Sequence, residues 1–344
     1  MNERQLVILT LDEARARAGS GGDAPAVARA LRAGGALAVC IVGAGDGMDW
    51  LDTEHARGWL AGVPQDAGTF AAAMQRALAQ GFVAADAAIV AKMTQPFALP
   101  ALSWGEQPPA APSCRKPAPP LDLYAIVDSA ARLRQVLEAG VRTVQLRIKK
   151  PPAPDDAWHA MLRREMWQAI DDSACAGAEL FVNDHWQLAQ ELGAPGVHLG
   201  QEDLLALGDA GRARLLASGM ALGISSHSLW ELSRARTLSP RYIACGPVWP
   251  TLTKDMPWVP QGLDNLAWWC RAAGAPVTAI GGILDPREVE AAASTGADGV
   301  CIVRGLGKDP RQTVPALRAA LAAGRAHPLR DVPAWPHPSL PPGE

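Results

Sequence analysis

Residues 121–325 constrain the fold of this chain more than any other stretch, because two kinds of segment alternate there. Short apolar runs recur as LYAIVD, TVQLRI, LFVND, GVHLG, LGISSH, YIACGP, VTAIGG and GVCIVR. Each is continuously apolar rather than alternating in polarity, as expected of parallel strands covered on both faces. Between most of them lie helix-period segments such as SAARLRQVLEAG, HWQLAQELGA, LWELSRARTL and PREVEAAASTGA, and LEAG, ELGA and STGA supply small residues where a helix should stop. Eight strands alternating with helices predict a (β/α)8 barrel of the TIM type, an α/β fold, with an open doubly wound sheet as the alternative.

Composition breaks the chain outside that stretch. Residues 103–120, SWGEQPPAAPSCRKPAPP, are rich in proline, which fixes φ and removes backbone donors, so they read as a semi-rigid linker. Residues 326–344 form a second Pro-rich segment that reads as an extended tail. In residues 1–102, ALAVCIVGAG has the character of a strand, and TFAAAMQRALAQGFVAADAAIVAKM that of two Ala-rich helices broken near Gly81. This is a smaller α/β segment, and its GAGDG at 43–47 reads as a turn rather than a phosphate loop.

Bulk properties exclude several classes. A formal net charge of −3 gives no electrostatic case for nucleic acid or an anionic membrane as partner. The start carries acids where a signal peptide would be apolar, and the longest uncharged apolar stretch, GGALAVCIVGAG, has 12 residues, too few to span a bilayer. The six cysteines include no C-x-x-C pair and no zinc spacing, which fits reduced core residues of a cytoplasmic protein.

In a barrel of this type chemistry is built where the strands end. Strand by strand, those ends offer Gln145, Arg147 and Lys149; Asn183 and Asp184; Gln201, Glu202 and Asp203; Ser225, Ser226 and His227; Thr251, Leu252, Thr253 and Lys254; Gly281 and Gly282; and Val303, Arg304 and Gly305. Glycines after the last two strands suit a monophosphate cradle, because they let backbone N–H groups approach the oxygens. Asp184 and Asp203 would repel a phosphate unless a divalent cation bridged them, and Mg2+ typically takes one or two carboxylates plus phosphate oxygens and water. Two carboxylates with Arg147, Lys149 and Lys254 therefore suggest a diphosphate held by Mg2+ and basic side chains. Read singly, Asp184 and Asp203 are helix caps or turn residues, and His185 and His227 are structural, since neither has a partner at metal-ligand spacing.

These residues carry a family resemblance. QLRIK, FVND, GVHLGQED, LGISSH, GPVWPTLTK followed by MPWVPQGL, and AIGGI resemble, in order and spacing, thiamine-phosphate synthases over about 121–325. The resemblance implies transfer of a hydroxymethylpyrimidine group from its diphosphate to thiazole phosphate, giving thiamine phosphate and diphosphate. It implies small-molecule substrates only, with room for a homo-oligomer. By resemblance Gln145, Arg147, Lys149 and Asn183 contact the pyrimidine diphosphate, and Asp184 and Asp203 bind Mg2+. Ser225 and Lys254 touch the pyrimidine substrate or its leaving group, and the catalytic set is Arg147, Lys149, Ser225 and Lys254. Thr251, Leu252, Thr253, Gly282, Val303 and Arg304 line the thiazole phosphate site, where Arg304 stands in place of a serine expected from many relatives. DWLDTEHARGWL and DAGTFAAAMQRALAQGFVAADAAIVAKM resemble the C-terminal part of ribokinase-type hydroxymethylpyrimidine (phosphate) kinases. There the catalytic position is Gly68 and much of such a kinase is missing upstream, so residues 1–102 are expected to be a truncated, inactive kinase-like segment. Two further readings are a thiazole tautomerase-like isomerase on the same barrel and a non-catalytic thiamine-precursor binding protein.

Overall fold

The computed structural model describes residues 6–110, 118–251 and 257–341. The N-terminal unit is a sheet of five strands in sequence order. It runs β1 (Leu6–Thr10), α1 (Leu11–Ala18), α2 (Ala24–Ala33), β2 (Ala38–Gly45), β3 (Met48–Asp52), β4 (Arg57–Ala61), α3 (Ala67–Ala79), α4 (Ala84–Lys92) and β5 (Ala101–Leu102). β1 and β2 are parallel and the remaining pairs antiparallel. The GAGDG stretch is a turn, as the sequence suggests: Asp46 and Gly47 both take positive φ and join β2 to β3 as a hairpin. The Ala-rich stretch forms α3 and α4, parted by Gly81 at φ 91°. The short strands β1, β3 and β4 were not legible in the sequence.

The eight apolar runs form a closed parallel barrel. Its elements are β6 (Asp122–Val127), α5 (Ala130–Glu138), β7 (Thr143–Leu146), α6 (Asp156–Cys175), β8 (Glu179–Asn183), α7 (Trp186–Glu191) and β9 (Gly196–Leu199). They continue through α8 (Gln201–Ala206), α9 (Gly208–Ala217), β10 (Ala221–Ser226), α10 (Leu229–Ala235), β11 (Tyr242–Cys245), α11 (Gly262–Ala272), β12 (Val277–Ala279), α12 (Pro286–Ala293), β13 (Gly299–Ile302) and α13 (Pro310–Ala326). β13 pairs back onto β6, so no strand edge is left open.

The barrel interior is plugged by Leu121, Tyr124, Ile126, Phe181, Tyr242, Ala244 and Cys301. Tyr242 meets Tyr124 and Phe181 edge-on at 5.5 and 5.0 Å between ring centroids, the arrangement that opposes a negative ring face to a positive edge. The cavity at the C-terminal strand ends lies above this plug, with Ile126 in the lining of both.

A second, larger apolar cluster runs without a break from Phe70, Met74 and Ala88 of the N-terminal unit to Leu229, Trp268 and Val289 of the barrel shell. The Pro-rich linker is anchored at its start, where Trp104 is buried and donates its indole N–H to Thr237 Oγ1 at 3.1 Å. Residues 327–341 contain no helix or strand, yet Ser339 and Leu340 are buried against the barrel. Cys40, Cys245 and Cys301 are core residues as expected, Cys175 is exposed instead, and Cys114 lies outside the described residues.

Candidate active site

The C-terminal strand ends open into one cavity of about 360 Å³. Gln145, Arg147, Asn183, Asp184, Asp203, Ser225, Thr251, Gly282, Val303 and Arg304 all line it. Lys149 is exposed at the end of its strand and is not among the lining residues. Leu252, Thr253 and Lys254 lie outside the described residues.

Asp184 follows β8 in a left-handed conformation, φ 67°, a region that Asp tolerates better than most residues. Its backbone N–H donates to the His198 carbonyl at 3.1 Å, which ties it to the neighbouring strand. Asp203 sits in the first turn of α8, and its Oδ2 accepts the Gly200 backbone N–H at 3.1 Å. The capping role that a lone Asp suggests is therefore real for Asp203, and it holds the carboxylate at the cavity mouth. Burial, and after it the charge of Asp203, raises the Asp184 carboxyl above its ordinary value; His185 and Arg147 pull the other way without cancelling the effect. Among the described residues no group of three or more His, Cys, Asp or Glu side chains could hold a metal alone. Two facing carboxylates suit a hard cation that completes its shell with substrate oxygens and water, so the donor set fits Mg2+.

At the far side Gly281 and Gly282 carry φ of 92° and 76°. A Cβ built on Gly282 would lie 2.5 Å from Trp249 Cβ, so no other residue fits, and the backbone stays bare towards the cavity. Val303 and Arg304 are exposed on the facing loop, and Arg304 brings a guanidinium to this end.

The floor holds residues that the sequence reading passed over. Ser225 Oγ lies 2.8 Å from His198 Nε2, and His198 Nδ1 lies 2.7 Å from the Tyr242 hydroxyl. Tyr242 contacts the Tyr124 hydroxyl at 2.7 Å, and Gln145 Nε2 donates to that hydroxyl at 3.0 Å. Burial, followed by Arg147, lowers His198 to a pKa of about 3, so the ring is neutral and has one N–H. Burial likewise holds both tyrosines protonated. With Gln145 Nε2 donating to Tyr124, one proton arrangement leaves no donor of this chain idle. Tyr124 donates to Tyr242, Tyr242 to His198 Nδ1, and His198 Nε2–H to Ser225, which frees the Ser225 hydroxyl proton for a ligand. Gln145 and Ser225 are thus two ends of one hydrogen-bonded chain. The only signal in the sequence was a histidine inside an otherwise apolar strand, GVHLG.

One wall of the cavity is built by His227, Glu231 and Trp258. Glu231 Oε2 accepts from the His227 backbone N–H at 2.6 Å and lies 3.0 Å from its Nδ1, and Trp258 stacks on the His227 ring at 5.2 Å. His185 Nε2 lies 3.0 Å from the Ile148 carbonyl.

A closed (β/α)8 barrel whose C-terminal strand ends carry one polar cavity has the architecture of a barrel enzyme. The sequence pattern of the thiamine monophosphate synthase family matches residues 123–306, and the chain belongs to that family of thiamine-biosynthetic transferases. A thiamine-phosphate synthase of Neisseria meningitidis is 43% identical over 205 residues, covering 58% of this chain and 94% of the relative. One from Rhizobium etli is 42% identical over 188 residues, covering 54% of this chain and 87% of the relative. A solved thiamine phosphate pyrophosphorylase from Pyrococcus furiosus is 28% identical, spans 59% of this chain and 96% of its own, and superposes with a TM-score of 0.49. No helix among the described residues is long and apolar enough to cross a membrane.

Proposed function

We propose that the barrel joins hydroxymethylpyrimidine diphosphate to thiazole phosphate, releasing diphosphate and forming thiamine phosphate. Family membership supports the reaction, and the observation that carries the division of labour is the placement of Asp184 and Asp203 opposite the glycine pair in one cavity. In this reading the C–O bond between the pyrimidine methylene and its diphosphate breaks first. The thiazole nitrogen, which already has a free lone pair, then forms the C–N bond. No general base is required, which agrees with a buried, neutral His198 held by Tyr242 and Ser225.

Asp184 and Asp203 would hold Mg2+, which when bound offsets negative charge on the diphosphate. Arg147 within the cavity, Lys254, and Lys149 reaching in from outside the lining would stabilise the charge that grows on the leaving group. Gln145, Asn183 and the free proton of Ser225 orient the pyrimidine ring. Thr251, Leu252, Thr253, Gly282, Val303 and Arg304 receive the thiazole phosphate, with the Arg304 fork replacing a smaller hydrogen-bonding residue. The apolar plug beneath the site keeps water from the methylene cation.

The N-terminal unit has no kinase activity in this reading. At the start of α3, where a phosphate would have to dock, a carboxylate already stands: Asp66 Oδ1 accepts the Thr69 N–H at 2.9 Å and Oδ2 the Thr69 hydroxyl at 2.6 Å.

The test is to mix the purified chain with both substrates and Mg2+ and follow diphosphate and thiamine phosphate together. Equal release of the two, abolished by EDTA, is expected. Tight binding of either substrate without turnover would favour the non-catalytic binding protein, and a change in the thiazole ring without diphosphate would favour the isomerase.

A further inference from the structure

Two segments outside the family match, residues 6–104 and 327–341, converge on the same wall of the cavity. From the N-terminal unit, Asp86 reaches the start of α10. Its Oδ1 accepts the Trp230 backbone N–H at 3.1 Å, and the neighbouring Leu229 N–H also favours the ionised carboxyl. Ser228 already serves the Glu231 N–H and Glu231 the His227 N–H, and Asp86 takes the Trp230 N–H, a first-turn donor that α10 cannot satisfy itself. Asp86 is 1% exposed, and burial pushes its carboxyl up to about 8. His55, exposed on the same unit, stacks on Trp230 at 5.3 Å and 10° between planes. Trp230 in turn meets Trp258 at 5.6 Å, and Trp258 covers His227. Two ring contacts therefore connect His55 to the cavity lining.

The grip extends down the helix. Arg234 donates to the carbonyls of Ser103 and Arg57, each at 3.2 Å, and Arg236 to that of Leu99 at 2.7 Å. All seven residues of α10 are buried, unlike an ordinary outer barrel helix. The tail arrives from the other side. His337 Nε2 lies 2.9 Å from the Gln261 carbonyl, and Val259 N–H donates to the Ser339 carbonyl at 2.9 Å. Gln261 is fully buried and passes the contact inward, donating through Nε2 to the His227 carbonyl at 2.7 Å.

We propose that the N-terminal unit, with Asp86 as its positioning residue, sets the His227–Glu231–Trp258 wall of the active site, and that the tail braces the same wall through His337. The inference rests on the reading of the central cavity as the substrate site. A fusion partner without chemistry of its own then acts as a fixed part of substrate recognition. The part of the substrate nearest this wall should lose affinity when the wall loosens.

The test uses the full chain with Asp86→Ala, Asp86→Asn, His55→Ala and His337→Ala. Two readouts are taken: KM and kcat for each substrate, and amide hydrogen exchange over 227–232 and 258–262. Removing a buried acceptor from its donor should raise KM about tenfold in Asp86→Ala with kcat within about twofold. Exchange over 227–232 should quicken at the same time. Asp86→Asn keeps an acceptor of the same shape and should restore both, and His55→Ala and His337→Ala should show the same pattern more weakly. Parent values of KM and exchange in Asp86→Ala would overturn the proposal. So would an equal fall of kcat in Asp86→Ala and Asp86→Asn with faster exchange throughout, which is a general loss of stability. If Asp86→Ala does not fold, the two histidine variants decide on the same criteria. If the parent makes no thiamine phosphate, the reading of the cavity fails, and local exchange alone confirms or refutes the positioning of the wall.

Discussion

Two carboxylate sites in this molecule look alike in sequence and behave oppositely in structure. In the N-terminal unit Asp49 is buried and meets the Lys92 ammonium at 2.6 Å, while its other oxygen accepts the Gly43 N–H at 2.9 Å. Its charge is met by its own chain, and no vacancy for a ligand remains. On the barrel rim Asp184 faces Asp203, and its carboxyl is raised because the nearby cations do not cancel burial and the like charge. A carboxylate that the fold neutralises is structure. A pair that the fold leaves under-compensated is held open for something that binds.

That contrast can be broken most forcefully in the N-terminal unit. Lys92→Met leaves Asp49 buried and alone, and should cost roughly 3–5 kcal/mol of stability, read by denaturant unfolding. Adding Asp49→Asn should recover most of the loss, because the uncompensated charge goes with it. On the rim the same kind of change acts on rate instead. Asp203→Ala should lower thiamine phosphate formation by about 10²–10³-fold, as when a group that stabilises transition-state charge is removed, while stability falls by no more than about 0.5–2 kcal/mol, the loss of its cap to the Gly200 N–H. A loss of stability there comparable to that of Lys92→Met would erase the distinction.

Smaller changes sharpen it. Tyr242→Phe breaks the chain that supplies His198 Nδ1 with its donor, and should cost about 1–3 kcal/mol in stability. The same variant should weaken pyrimidine binding, because the free Ser225 proton is no longer enforced; unchanged KM would show the chain to be structural only. The smallest effect is on pH dependence. Asp184 is raised in the folded state, so between the ordinary carboxylate value and its raised one the folded chain binds more protons than the unfolded chain. Stability then declines as pH rises through that window, and Asp184→Asn should lack the decline. Mg2+ affinity should run the other way, rising with pH as the carboxyl ionises, and titration calorimetry at several pH values measures it.

The barrel was legible because each of its strands is a continuous apolar run, and a continuous run between helical segments has few other uses. The rim was legible because polar residues cluster where those runs end. His198, Tyr124 and Tyr242 were not, since a ring within an apolar strand reads as packing until the closed barrel brings three such strands onto one axis. The wall was hidden for a different reason. Its braces, Asp86 and His337, lie 144 and 110 residues from Trp230 and His227 in sequence, and no local pattern links them. Proline content suggested an extended tail and gave no sign that hydrogen bonds would fasten residues 337–339 to the barrel.

The unbroken apolar cluster from Phe70 to Val289 gives the two units a shared fate. Neither half can lose its share of that cluster without stripping packing from the other. Heating should give one cooperative transition in a calorimeter, not two. A protease that cuts the linker should leave two pieces still joined, a nick that severs the chain without separating what it built.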